Sequence, residues 1–274
     1  MKRCAQILRS LFDLYNHIQI PRAAAGLSYY LTMTFFPLII CLNSLLGYNF
    51  NQSMRILNFV GQFLSSNTTV MLQSFLIHIA VNNNSGIFVA GLLALVVPAS
   101  AAIRTLQATI GEMQGRKRYQ GIWDFLFSIG FSLLFMGAIY FAILVVFTSR
   151  DILDLINGFL PFIDISSSWS WIRYLILAAI SYLLLWVVYS FSKAHDIHYK
   201  TAPGALLSTL GLVLMTQVFS NFIGVSARYP LVYGSLASVI LLMFWLFLVC
   251  QIIYLGAAFN IVLSQQPFKS DKKV

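Results

Sequence analysis

The chain has 274 residues, of which 59% are hydrophobic and only 9% charged, with a mean hydropathy of +0.82 and a net charge of +9. A soluble domain is about a quarter charged, so this composition excludes a soluble globular enzyme and points to an all-α polytopic membrane protein. The three cysteines, Cys4, Cys41 and Cys250, lie in a basic N-terminus and in two apolar stretches, so free thiols are expected and a disulfide framework is not.

The first 20 residues mix Lys2, Arg3, Arg9 and Asp13 among apolar positions and lack the continuous apolar core of a cleavable signal. Ile7, Leu8, Leu11, Phe12, Leu14, Tyr15 and Ile18 recur at near-helical spacing. Two placements fit such an amphipathic helix: on the membrane surface, or packed under a bundle.

Arg22 then opens a stretch that is uncharged from Ala23 through Tyr48. About 20 helical residues cross a bilayer core, and a first span is expected over 23–47. It is not a plain lipid-facing helix. Ser28, Tyr29, Tyr30, Thr32, Thr34 and Asn43 are polar or half-polar, and Pro37 removes a backbone donor near the middle. Such residues are tolerated where neighbouring helices or a wet cavity satisfy them, so this span is expected inside the bundle.

Residues 48–84 carry two short apolar stripes, Ile56 to Leu64 and Val70 to Ile79, bounded by Asn-rich and Ser-rich breaks. They read as short extracytoplasmic helices. Further spans are expected over 86–103, 122–147, 171–192, 203–223 and 234–264, giving a single six-span membrane domain over 1–274. Pro203 suits the first turn of its helix.

The placement of basic residues sets the orientation. Lys2, Arg3, Arg9, Arg22, Arg104, Arg116, Lys117, Arg118, Lys193, Lys200, Lys269, Lys272 and Lys273 fall on one side. Arg55, Arg150, Arg173 and Arg228 fall on the other, which completes the 17 Lys and Arg. The positive-inside rule puts both termini in the cytoplasm. The basic excess is thereby accounted for as topology with an affinity for anionic lipid, and no nucleic-acid partner is inferred.

The search for chemistry gives little. His195 and His198 flank Asp196, and an i, i+3 imidazole pair on a helix can bind a metal. No third ligand of matching character is evident, and a solvated turn accounts for the pair as well. No Gly-rich phosphate loop, HExxH or GxSxG motif occurs. No enzyme, cofactor or metal site is expected. Charged groups at mid-bilayer depth, the usual mark of an ion pathway, are almost absent. What remains is uncharged polar lining: Tyr29, Tyr30, Thr34 and Pro37 of the first span with Asn260 of the last form the candidate substrate-binding set. Arg104, Arg116, Lys117 and Arg118 form a candidate head-group rim. The competing reading makes the polar groups interhelical hydrogen bonds, worth on average about 0.6 kcal/mol each. Gly204, Gly211, Gly234 and Gly256 read as points of close helix approach.

Several stretches together resemble the YihY/BrkB family of bacterial inner-membrane proteins: Ala23 to Leu38 (AAAGLSYYLTMTFFPL), Pro203-Gly204-Ala205, Tyr233-Gly234-Ser235-Leu236-Ala237, and Trp245 followed by Gly256-Ala257-Ala258-Phe259-Asn260. Two positions depart from the family pattern. Ala258 stands where the family commonly has an acid, and Ile110-Gly111 where a Leu-Asn pair is usual. The resemblance implies a bacterial cytoplasmic-membrane location and a role in the envelope. The family's older label, ribonuclease, is regarded as mistaken. The expected function is a transporter or flippase-like protein for an amphiphilic or lipid-linked substrate. Its partners would be membrane lipids. The alternative is a non-transporting envelope-integrity or scaffold protein.

Overall fold

The computed structural model describes residues 2–46, 85–115, part of 128–142, 165–193, 200–225 and 236–264. The described residues contain no strand. Their long helices are α1 (Lys2–Ile18), α2 (Ile20–Leu46), α3 (Ser85–Met113), α4 (Ile165–Phe191), α5 (Ala202–Val225) and α6 (Leu236–Leu263). Residues 128–131, on the expected third span, are helical too. Among the described residues, four helices are both long and apolar enough to cross a membrane, through Gly91–Met113, Tyr174–Phe191, Ala202–Phe219 and Val239–Leu263. The expected helices over 48–84 lie outside the described residues.

A single residue separates α1 from α2. Gln19 takes a left-handed backbone conformation, φ 54°, which no helix propagates. The chain turns there, and the Arg22 amide bonds the Gln19 carbonyl at 2.8 Å to start α2. Of the two placements considered for α1, packing under the bundle is the one seen. Leu14 is buried, with Leu11, Tyr15 and Ile18 packed against the core, so this face docks under the bundle on α6, α3 and α2. Leu8 and Phe12, one turn apart, stay 65% exposed on another face.

The α3 helix continues to Met113, past the expected end of the second span at 103. Burial explains the extension. Leu106, Ile110 and Met113, at i, i+4 and i+7, line one face and are all nearly inaccessible. Arg104 and Glu112 are the charged residues on this added length, and neither is buried. The helix stops at Gly115, whose φ of 72° suits a residue without Cβ. There the Gln114 amide returns to the Ile110 carbonyl at 3.2 Å. The helices α2, α5 and α6 begin and end within a few residues of the spans expected there, and α4 begins earlier, at Ile165; the ends of the expected third span lie outside the described residues.

The hub is α6, which touches α5, α2, α1 and α3. The other large contacts are α2 on α3 and α4 on α5. Tyr189, Tyr254, Cys250, Ile110, Met113 and Ala258 are among the residues of one continuous core. On the far side of α5, Leu206, Leu210, Val213, Leu214 and Val218 are exposed. Soluble monomers rarely present so continuous an apolar face. For a helix in lipid it is the ordinary outer surface.

Candidate functional site

The polar residues expected on the first span divide by their surroundings. Tyr29 is half-exposed on the outside of α2, whereas Tyr30 is part-buried against the core. Their rings meet edge-on at 5.6 Å. Thr34 is buried, and its hydroxyl donates to the Tyr30 carbonyl at 2.7 Å. Thr32 donates to the Ser28 carbonyl at 2.8 Å, and Ser28 to the Ala25 carbonyl at 2.9 Å. These hydroxyls therefore bond their own helix, and the interhelical bonds considered for them are not where their protons go. A hydroxyl used once as donor keeps two acceptor lone pairs. The α2 helix runs through Pro37 to Leu46. The ring costs one donor, and the neighbouring turns hold the helix.

Polar bonds between helices concentrate elsewhere, where α4, α5 and α6 meet. Gly204, Ser208 and Gly211 form one stripe on α5, at i, i+4 and i+7. Ile252, Gly256 and Asn260 form the facing stripe on α6, at i, i+4 and i+8. The backbones approach so closely that a Cβ on Gly204 would collide with the Gly256 carbonyl and the Asn260 side chain. A Cβ on Gly256 would collide with the Ser208 hydroxyl and stand 2.9 Å from the Tyr189 hydroxyl. The small residues thus create the interface, as small-residue motifs do between membrane helices.

Asn260 is part of that interface. It is fully buried; its Oδ1 accepts from the Gly204 amide at 2.6 Å and its Nδ2 donates to the Thr201 carbonyl at 3.0 Å. Gly204 stands in the first turn of α5, where amides lack partners within the helix. Asn260 supplies one, so it caps α5 from a neighbouring helix. The close approach at Gly256 is to α5 and to Tyr189 of α4.

Two buried hydroxyls complete the knot. Tyr189 donates to the Ile253 carbonyl at 2.6 Å and lies 2.9 Å from the Ser208 hydroxyl, which in turn is 3.1 Å from the Ile252 carbonyl. Three contacts share two protons, so the pair can alternate donors without moving. Ser190 and Thr201 close the α4–α5 end at 3.0 Å, and the Gln114 side chain ties the end of α3 to the Ser192 carbonyl at 3.2 Å. The Tyr254 hydroxyl is buried as well, with Thr109 of α3 as its polar neighbour.

Arg104 of the expected rim is half-buried, and its Nε donates to the Ser100 carbonyl at 3.3 Å within α3. Arg116, Lys117 and Arg118 lie outside the described residues, as do His195 and His198. Cys41 and Cys250 are buried free thiols. Tyr189, Ser208 and Thr201 were not singled out from sequence. The signal available for Ser208 was its place one turn after Gly204 on a small-residue stripe. Nothing local marks Tyr189, whose role depends on two other helices.

A family model described as virulence factor BrkB matches residues 11–273. The ribonuclease-like protein YfkH of Bacillus subtilis (strain 168) is 26% identical over 269 residues, covering 94% of this chain and 95% of the relative. A UPF0761 membrane protein of Histophilus somni (strain 2336) is 24% identical over 270 residues, covering 95% of this chain and 91% of the relative. A UPF0761 membrane protein of Chlorobium phaeobacteroides is 25% identical over 274 residues, which cover 93% of this chain and 57% of that longer protein. No solved structure matches.

The knot makes a stability prediction, read by thermal melting in detergent. Gly256→Ala overpacks a backbone contact and should cost about 1–3 kcal/mol. Tyr189→Phe removes a hydroxyl shared by three helices and should cost about 0.5–1.5 kcal/mol. Gly26→Ala, with open space around it, should be neutral or stabilising. A Gly256→Ala protein as stable as the Gly26→Ala protein would contradict the described crossing.

Proposed function

The chain belongs to the BrkB family of membrane proteins, and on that premise we propose that it moves an amphiphilic, anionic or lipid-linked envelope substrate across the bacterial cytoplasmic membrane. It does so as a transporter or flippase-like protein with six spans and both termini in the cytoplasm.

The observation that carries this reading is the division of α2 into an outward phenol and inward hydroxyls. Tyr29 offers its hydroxyl at the lipid side, while Tyr30 and Thr34 stand on the adjacent, bundle-facing side of the same helix. A head group passing between these faces meets acceptors and donors but no fixed charge, so it is solvated without being trapped. Pro37 leaves one carbonyl on the preceding turn without its helical donor, a further acceptor on that path. Arg104 and the Arg116, Lys117 and Arg118 cluster supply a cationic entrance for an anionic head group. Asn260 supports the path indirectly by holding α5 to α6.

A non-transporting envelope or scaffold role is the second reading. It is favoured by the charge-free core: the buried polar side chains among the described residues are all uncharged. No catalytic role is proposed, since the sequence offers no nucleophile, base and charge-stabilising group in one constellation. The ribonuclease-like name belongs to the Bacillus relative.

Transport is tested with purified protein in vesicles that carry fluorescent phosphatidylglycerol, where an impermeant reductant quenches lipid as it reaches the outer leaflet. The protein should speed quenching over empty vesicles, and Tyr30→Phe combined with Thr34→Val should return it to the empty-vesicle rate at unchanged melting temperature. No acceleration by the unaltered protein would retire transport of this lipid and leave the scaffold reading ahead.

Orientation is tested by labelling single cysteines from outside intact cells, in a chain otherwise free of cysteine. Asn67→Cys and Gly158→Cys should react, and Lys117→Cys and His198→Cys should not. Labelling at position 117 from outside would reverse the topology.

A further inference from the structure

One exposed stripe of α2 takes no part in the bundle. Arg22, Ala25, Tyr29 and Met33 are all exposed. Their spacing of three and four residues stacks them on one face. Ala24, Leu27 and Ser28, on other faces, are buried. Arg22 and Tyr29 are two turns apart, about 10.5 Å along the axis. Helical side chains lean toward the helix N-terminus, so the Tyr29 phenol tilts back toward the level of Arg22. Ala25 between them leaves the space open. Among the described residues no side-chain hydrogen bond or ion pair engages Arg22.

The first helix sets the depth of this stripe. Leu8 and Phe12 of α1 are 65% exposed, with the exposed Arg9 between them. Apolar side chains presented beside a cation suit the boundary between head groups and acyl chains. The turn at Gln19 places Arg22 within one turn of the end of that helix. With α1 at that boundary, a membrane-crossing α2 puts Arg22 at head-group level, Tyr29 below it and Met33 among acyl chains.

We propose that the stripe Arg22–Ala25–Tyr29–Met33 is a binding site for an anionic phospholipid of the cytoplasmic leaflet. The Arg22 guanidinium takes the phosphate, because its planar fork matches two phosphate oxygens at once. The Tyr29 hydroxyl donates to a phosphate or ester oxygen, and an acyl chain runs over Ala25 and along Met33. Charge complementarity selects the occupant: a zwitterionic lipid carries its own cation beside the phosphate and gains less from Arg22. The site does not depend on transport, since a lipid held here serves equally as a fixed constituent of the protein surface.

The test measures retained lipid by native mass spectrometry of the full chain released from nanodiscs of phosphatidylcholine and phosphatidylglycerol in equal parts. The unaltered protein should retain phosphatidylglycerol in preference. Arg22→Gln should lower that preference about fivefold, the scale of one basic residue at an anionic surface. Tyr29→Phe should lower it by less, Arg22→Lys should recover part of it, and Arg9→Gln should lower it clearly less than Arg22→Gln does. Inorganic phosphate added at millimolar level should not displace the lipid. Equal losses for Arg22→Gln and Arg9→Gln would reduce the effect to diffuse surface charge and overturn the site. Equal retention of both lipids, or displacement by inorganic phosphate, would overturn it as well. Because the readout is binding, a protein that retains phosphatidylglycerol yet moves none keeps this site and loses only the transport reading.

Discussion

The backbone contact between Gly204 and Gly256 is the constraint on which the rest of the bundle depends. Two helices that meet without side chains between them bring amides and carbonyls of each within reach of polar groups on the other. In an apolar environment such groups must find partners inside the protein. Asn260 answers for the first turn of α5, and Ser208 and Tyr189 lie against the carbonyls of Ile252 and Ile253. Each of these side chains reaches its partner only because the glycines let the axes come close. Packing and hydrogen bonding here are one device, and α4 is held to it through Tyr189.

The hub position of α6 then has a physical sense. One face of the helix, around Gly256 and Asn260, is committed to α5. The helix also meets α2 and α1. The α2–α3 pair shows the opposite chemistry: its hydroxyls turn back on their own carbonyls, at Thr32, Thr34, Thr105 and Thr109. An α4–α5–α6 unit laced by side-chain bonds thus stands beside a pair packed mainly by apolar contact. Pairs of the second kind can shift against a neighbour without breaking specific bonds, and α2 is where the candidate substrate path lies.

Much of this was legible in the residues. The uncharged run after Arg22, the apolar runs ending at Phe191 and Leu263, and Pro203 at the start of α5 locate helices well because membrane helices must be long, apolar and internally bonded. The glycine stripe was legible too, since Gly204 and Gly256 have few other reasons to stand in such apolar helices. The extension of α3 past Arg104 was hidden by composition: basic and polar residues masked the i, i+4, i+7 burial of Leu106, Ile110 and Met113. The role of Asn260 could be suspected but not assigned, because its partners, Gly204 and Thr201, are distant in sequence. Tyr189 was invisible for the same reason. A hydroxyl that serves three helices has no signature on any one of them.

The most direct measurement of this account is a double-mutant cycle on thermal stability between Gly204→Ala and Asn260→Ala. A Cβ at position 204 collides partly with the Asn260 side chain, and the same side chain bonds the Gly204 amide. The two changes should therefore be coupled: Gly204→Ala should cost about 1 kcal/mol or more less when Asn260 is already alanine, within the range seen for contacting residues. Costs that add to within about 0.5 kcal/mol would show two independent sites and contradict a crossing locked by Asn260.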